Sequence, residues 1–325
     1  MKNDPRWDPE MLAARERQDA YAATLPPQVM APPFDAARAI NDQVAAMWCE
    51  GGPVMAETRD FALGLRGRLV ACRLHKPLSR GSRADGALPL LVWAHGGGWV
   101  FSSIDTHDRL ARELAAAGDV AVLLVDYALA PEAKFPVALY EIDALLRRVA
   151  DAAAGWGVDG SRVIVGGDSA GGNLALAAAM LARDAGGAKL SGVLAAYPVT
   201  DADFSSPSYV EFAEGYGLTA AGMKAFWDCY LGHEADRFNP LAAPLRGDAA
   251  GLPPVYMPLA EIDVLRSEGE RMAAKILAAG GRCEAPVHRG MAHGFLRQAG
   301  AFAGARQAIA EAGAWLREVA REPDR

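Results

Sequence analysis

What most limits the fold of this chain is a regular exchange between strand-length apolar segments and helix-length amphipathic ones. Leu88–Ala94 is apolar without interruption, the mark of a strand buried on both faces. A helical stretch at Asp105–Gly118 follows, then a second buried run at Val120–Tyr127. The exchange continues with a helix near Val137–Ala153, a strand over Arg162–Gly166, a helix over Ala170–Arg183 and a strand over Leu190–Tyr197. After a break it resumes with a strand at Val255–Ala260, a helix at Ser267–Ala279, a strand at Cys283–His288 and a final helix at Phe302–Val319. Such alternation predicts a mostly parallel sheet covered by helices on both faces, an α/β fold. Upstream, Phe61–Leu74 alternates loosely and predicts one or two antiparallel strands. Residues 6–24 and 34–50 read as helices, with Ala-rich spacing broken by Pro26-Pro27 and Pro32-Pro33.

The chain has 325 residues, more than the roughly 200–250 that one α/β domain commonly takes. Two places can hold the surplus. One is the pair of amino-terminal helices. The other lies between Pro198 and Pro240, where the rhythm breaks into a polar and aromatic stretch with one helix starting near Thr219. An insertion after the carboxyl end of a strand lies above the sheet, where ligands bind in such folds. The expected organisation is therefore a helical lid portion over residues 1–50 and a catalytic domain over 51–325, with a lid insertion at about 200–240. With 51% hydrophobic and 22% charged residues the chain suits a large core. A net charge of −7 and the lack of any basic run give no electrostatic basis for binding nucleic acid or anionic lipid.

Four cysteines, Cys49, Cys72, Cys229 and Cys283, are scattered without metal-ligand or paired spacing and read as buried free thiols. Met1–Glu10 is polar where a signal peptide needs an apolar core, and the apolar runs are too short to span a bilayer. No membrane partner and a cytoplasmic location are the expectations.

The chemistry concentrates at strand ends. Strand Arg162–Gly166 runs into Gly167-Asp168-Ser169-Ala170-Gly171-Gly172 and then directly into a helix, the context that gives a Gly-x-Ser-x-Gly motif its meaning. In so tight a turn the positions two before and two after the serine must be nearly free of side chain, and here they are Gly167 and Gly171. Ser169 would then stand strained above the sheet as a nucleophile. A phosphate or dinucleotide loop is the competing description of a strand–glycine–helix junction, but no Gly-x-Gly-x-x-Gly or Lys-Ser/Thr tail is present. Asp168 and Asn173, which flank the nucleophile, read as residues of the turn and helix. At the end of strand Leu88–Ala94 comes His95-Gly96-Gly97-Gly98-Trp99. Three successive glycines cost backbone entropy. A loop that brings bare N–H groups to a tetrahedral oxyanion accounts for them. His95 is assigned to holding that loop, because the base of a hydrolase triad follows the serine in the chain.

Together, His95-Gly-Gly-Gly, Gly167-Asp-Ser-Ala-Gly-Gly172 and Asp126-Tyr-Ala-Leu-Ala-Pro-Glu132 resemble the hormone-sensitive-lipase family of carboxylesterases. The likeness runs from about residue 50 onwards. It implies an α/β-hydrolase fold: a mostly parallel eight-stranded sheet flanked by helices, with a helical lid from the amino terminus and an insertion after strand six. The segment Glu261-Ile-Asp263-Val-Leu-Arg-Ser-Glu-Gly resembles the family's Asp-Pro-Leu-Arg-Asp-Glu-Gly, whose first Asp is the triad acid. That makes Asp263 the acid, with Glu261 its rival by position. Gly290-Met-Ala-His293-Gly-Phe295 resembles the segment holding the catalytic histidine. His293 is thus the base, with His288 the alternative. His75, His107 and His233 read as surface or loop residues. Backbone N–H groups of Gly97, Gly98 and Ala170 are the oxyanion donors that the resemblance implies, and no metal or organic cofactor is called for.

Departures from the family are Val264 for Pro, Ser267 for Asp, Ala128 for Arg and Ser102 for a frequent Gly; the last would narrow the acyl side of the pocket. Trp99, Phe101, Tyr197, Tyr209, Phe212 and Trp227 are candidate wall residues. The implied activity is a serine carboxylesterase acting on short- to medium-chain esters. An amidase, deacetylase or other acyl hydrolase on the same triad is the alternative, and a non-catalytic small-molecule receptor on this scaffold is a further one. A small-molecule ester is the expected partner. Oligomeric state stays open, with edge-strand or last-helix homodimers occurring in similar enzymes.

Overall fold

The computed structural model describes residues 4–78 and 87–321. Helices α1 (Pro9–Ala22) and α2 (Asp35–Ala46) lead into a hairpin of β1 (Met55–Leu65) and β2 (Arg68–Pro77). Then follow β3 (Leu88–Ala94), α3 (Asp108–Gly118), β4 (Ala121–Val125), α4 (Val137–Trp156), β5 (Val158–Asp168), α5 (Ala170–Asp184) and β6 (Gly192–Ala196). The insertion holds α6 (Pro207–Glu211) and α7 (Ala220–Tyr230). The chain closes with β7 (Val255–Tyr256), β8 (Leu259–Ile262), α8 (Arg266–Ala278), β9 (Cys283–Glu284), β10 (Val287–Ala292) and α9 (Ala303–Val319). Residues 1–3 and 322–325, the outer ends of the expected lid and catalytic units, lie outside the described residues.

Eight strands form one sheet in the order β1-β2-β4-β3-β5-β6-β7-β9. β2 pairs antiparallel with β1 and β4, and every pairing from β4 to β9 is parallel. Every residue of β3, β4 and β6 is buried, as uninterrupted apolar runs require. β1 instead alternates strictly between half-buried and exposed positions, because it is an edge strand with one wet face. Helix α3 packs on α9, and α4 on α5.

Two predicted strands are each divided. Val255–Ala260 becomes β7 and β8, and Cys283–His288 becomes β9 and the start of β10. Pro258 and Pro286 stand at the breaks and have no N–H to continue a ladder. Beyond them β8 and β10 pair parallel as a separate two-stranded sheet. The Phe61–Leu74 region is a longer hairpin than its pattern indicates, and α6 is too short to show a periodicity. Local caps agree with the sequence: Asp8 accepts from Met11 N–H at 3.0 Å and Thr219 from Gly222 N–H at 2.9 Å. All four cysteines are free, but only Cys72 is buried; the other three are half-buried because they lie on the outer elements. Among the described residues no helix is long and apolar enough to cross a membrane.

Leu91 sits mid-strand in β3, paired with Val122 on one side and Ile164 on the other, with no exposed surface. Leu91→Ala is expected to cost about 2–5 kcal/mol, read as a lower urea midpoint at unchanged slope.

Candidate active site

The elbow is set by what backbone can approach without side chains. Ser169 stands between β5 and α5 with φ 56° and ψ −118°, a conformation that L-residues avoid. Its N–H donates to Ala196 O at 2.9 Å, so the turn is held by the neighbouring strand. A Cβ on Gly171 would strike the carbonyl of Ala94 in β3, and one on Gly167 would strike Gly171 itself. The steric reading of the motif therefore holds in detail.

Ser169, Asp263 and His293 come together although 94 and 30 positions separate them in turn. His293 Nδ1 lies 2.7 Å from Asp263 Oδ2, and His293 Nε2 lies 2.9 Å from Ser169 Oγ. A carboxylate only accepts, so Nδ1 carries the proton and Nε2 is left to accept from the serine hydroxyl. Asp263, almost wholly buried, is steadied by Leu265 N–H donating to Oδ1 at 3.0 Å. Tyr197 packs its ring edge-on to His293 with centroids 4.9 Å apart. Glu261 instead accepts from Gly290 N–H at 2.8 Å and is absent from this chain of bonds. His288 lies against Phe295, with Glu311 as its charged neighbour.

The glycine loop lies beside the serine. Gly97 and Gly98 have φ of 121° and 62°, and Trp99 shares the left-handed region at 61°. A Cβ on Gly98 would enter the ring of Phe226 on α7. Ala170 opens α5, so its N–H has no carbonyl one turn back to bond. His95 is fully buried, with Nδ1 2.9 Å from Gly96 O, and its ring stacks on Tyr127, whose hydroxyl donates to His95 O at 2.7 Å. Burial, reinforced by His107, pulls the imidazole down to about 3, which leaves it neutral.

Several residues differ from their sequence reading. His75 and His107 are fully buried rather than surface residues. His75 bridges Thr58 on β1 and Asp108 on α3 at 2.9 and 3.1 Å. Asp168 does more than serve the turn: its Oδ1 accepts from Gly96 N–H at 2.9 Å, tying the nucleophile elbow to the glycine loop. Asn173 donates to Val199 O and Ala242 O, fastening both ends of the insertion. Ser102 has φ 75°, which explains why glycine suits that position. Near Ala128 the guanidinium comes from Arg68, which donates to Glu141 at 2.8 Å and to Asp126 O at 2.7 Å. Of the candidate wall residues, Trp99, Tyr209, Phe212 and Trp227 are packed inside, with Trp99 stacked 4.1 Å from Tyr230. None of these placements has a local signal, because each depends on which distant segment arrives.

Behind Asp263, Glu268 is buried and accepts from Thr200 N–H at 2.6 Å through one oxygen only. Burial pushes its carboxyl well above the usual range, outweighing the two backbone N–H groups that hold it down. The fold therefore keeps a proton that the unfolded chain loses once pH passes about 4.5, and stability falls as pH rises beyond that point. Glu268→Gln keeps the acceptor and removes the ionisation. Urea unfolding at pH 5 and pH 8 is expected to differ less for this variant than for the parent.

Among the described residues no group of three or more His, Cys, Asp or Glu side chains could hold a metal ion. Comparison with known proteins finds a family profile described as the alpha/beta hydrolase fold matching residues 91–297. Carboxylesterase NlhH of Mycobacterium tuberculosis is 41% identical over 64% of this chain and 67% of its own. Esterase LipI of the same organism is 37% identical over 79% and 81%. A thermostable esterase from Pseudomonas putida superposes with a TM-score of 0.88 at 32% identity, covering 99% of this chain and 100% of its own.

Proposed function

The chain belongs to the hormone-sensitive-lipase-like branch of the α/β-hydrolase family and is an ester-hydrolysing enzyme, and from that premise we propose that it cleaves short- to medium-chain carboxylic esters through an acyl-Ser169 intermediate. The observation that carries this reading is the unbroken line from Asp263 through His293 to Ser169 Oγ, at 2.7 and 2.9 Å. His293 Nε2 takes the hydroxyl proton as Oγ attacks the ester carbonyl, and Asp263 holds the ring and offsets the charge it gains. Gly97, Gly98 and Ala170 N–H groups receive the oxyanion, where each donor is worth about 10²–10³ in rate. The proton then passes from Nε2 to the leaving alkoxide, and water attacking the acyl-enzyme repeats the sequence to free the acid.

The amino-terminal helices and the 200–240 insertion act as one lid in this reading. Arg38 of α2 donates to Val100 O and Ala130 O, each at 3.0 Å, and Trp7 stacks on Tyr216 of the insertion with centroids 5.8 Å apart. Beneath them Ser169 is only 7% exposed and the His293 side chain 14%. So covered a serine, with Phe226 set over Gly98, favours small acyl groups over long chains.

Ser169→Ala is expected to lower p-nitrophenyl acetate turnover by about 10⁴-fold or more with the fold intact by circular dichroism, and Asp263→Asn by about 10⁴-fold. Activity retained in Ser169→Ala would sink the assignment. A p-nitrophenyl series from acetate through octanoate to palmitate should lose kcat/KM at the long end; a rise toward palmitate contradicts the chain-length reading. A matched anilide turned over as fast as the ester would move the enzyme to the amidases.

A further inference from the structure

The strand that leads to His293 departs from its partner at one place. β8 and β10 pair in parallel with Ala260 opposite His288, but the next pairing sets Ile262 opposite Ala292. Between those pairs the single residue Glu261 faces three, Arg289, Gly290 and Met291, so β10 bulges by two residues. The consequence falls on the next position. A regular ladder continued from Ala260 and His288 would set Met291 opposite Asp263 and leave His293 two residues, about 6–7 Å, farther along. With the bulge, His293 follows Ala292 as Asp263 follows Ile262, and its Nδ1 lies 2.7 Å from Asp263 Oδ2.

The bulge is held by bonds other than those of the ladder. Gly290 is buried, and its N–H donates to Glu261 Oε2 at 2.8 Å, a side-chain oxygen standing where a strand carbonyl would accept. The Gly290 carbonyl accepts from Asp8 N–H at 3.2 Å. Gly290 has φ 73°, and a Cβ there would stand 2.6 Å from Asp8 N, so both backbone and space call for glycine. Glu261 is fixed in turn: Arg266, which opens α8, donates through Nη1 to the Glu261 carbonyl at 3.0 Å.

We propose that Glu261 is a positioning residue for the reaction: by accepting from Gly290 N–H it fixes the bulge that brings His293 level with Asp263 and Ser169. Its side chain bonds to the backbone of β10, so its effect reaches the chemistry through strand register. Such a role needs an acceptor oxygen at the right reach, and it does not need a charge. Glutamine keeps both the oxygen and the reach, whereas aspartate keeps the carboxyl group and falls one methylene short. The proposal rests on the reading of Ser169, Asp263 and His293 given above, and its test separates the two.

In crystals of Glu261→Asp, His293 Nδ1 is expected to lie beyond hydrogen-bond reach of Asp263 Oδ2, with the eight-stranded sheet unchanged. An imidazole still bonded to Asp263 overturns the proposal. That measurement needs no turnover, while Ser169→Ala tests the nucleophile independently. The kinetic consequence is also specific. Glu261→Asp should lower kcat for p-nitrophenyl acetate by about 10²-fold with KM within about threefold, the cost of displacing a catalytic group by about 1 Å. Glu261→Gln should keep kcat within about threefold of the parent. Full activity in Glu261→Asp overturns the positioning role, as does a lower urea midpoint with kcat per folded enzyme retained. Glu261→Gln as slow as Glu261→Asp also overturns it, because charge and not reach would then matter; this arm decides even where the aspartate variant fails to fold.

Discussion

Bare backbone at Gly167 and Gly171, pressed against Ala94 of β3, is the constraint on which the remaining architecture depends. It lets α5 start one residue after the serine, so the strand, the strained Ser169 and a helix amino terminus share a single point. The same approach brings the end of β3 within hydrogen-bond reach of β5, and the Asp168 carboxylate uses it to hold the Gly96 N–H. A methyl group at either glycine would part Ser169 from the glycine loop, which in the proposed reaction receives the oxyanion. Catalytic geometry here is a consequence of close packing between two strands and a helix.

Asp263 and His293, the proposed acid and base, are delivered by a different device. Pro258 and Pro286 end their strands in the main sheet, and the chain beyond them re-pairs as β8 with β10. Asp263 and His293 each stand one residue past the end of these two strands, so a parallel two-stranded sheet fixes their spacing. From the other side the insertion closes on the glycine loop through aromatic contacts: Trp99 stacks on Tyr230 and tilts against Trp227, and Phe101 meets Phe226 edge-on. Ser208 of α6 adds a polar fastening, donating to Val264 O at 2.6 Å and accepting from Ser267 N–H at 3.0 Å. The insertion is therefore tied at once to the segment after Asp263 and to the glycine loop, and it forms part of the candidate site's frame as well as its cover.

Much of this architecture is legible in the sequence. Continuous apolar runs fall on β3, β4 and β6, which are buried throughout, and glycines stand where a Cβ would collide. These features are readable because burial on two faces and close backbone approach each leave a local mark on residue type. The breaks at Pro258 and Pro286 were also present in the sequence, but an apolar segment of six residues hides a division that only strand pairing reveals. His75, His107 and Asp168 had no such mark. A polar residue in a strand, beside a helix start or inside a turn looks the same whether water or a buried partner awaits it, and only the arrival of β1, α3 or the glycine loop decides which.

By itself, then, the sequence determined the α/β alternation, the glycine-flanked elbow at Ser169 and the glycine loop after His95, since each is written in short-range pattern, whereas the candidate acid and base came from resemblance to a family. Tertiary structure alone decided that Asp168 and His107 lie paired beneath the loop and that α7 sets Phe226 over Gly98, and it brings Asp263, favoured over Glu261 by resemblance, within reach of His293. The physical reason is range. Strand burial and steric exclusion act on neighbouring residues, whereas a hydrogen bond between residues tens of positions apart exists only once packing has fixed both backbones.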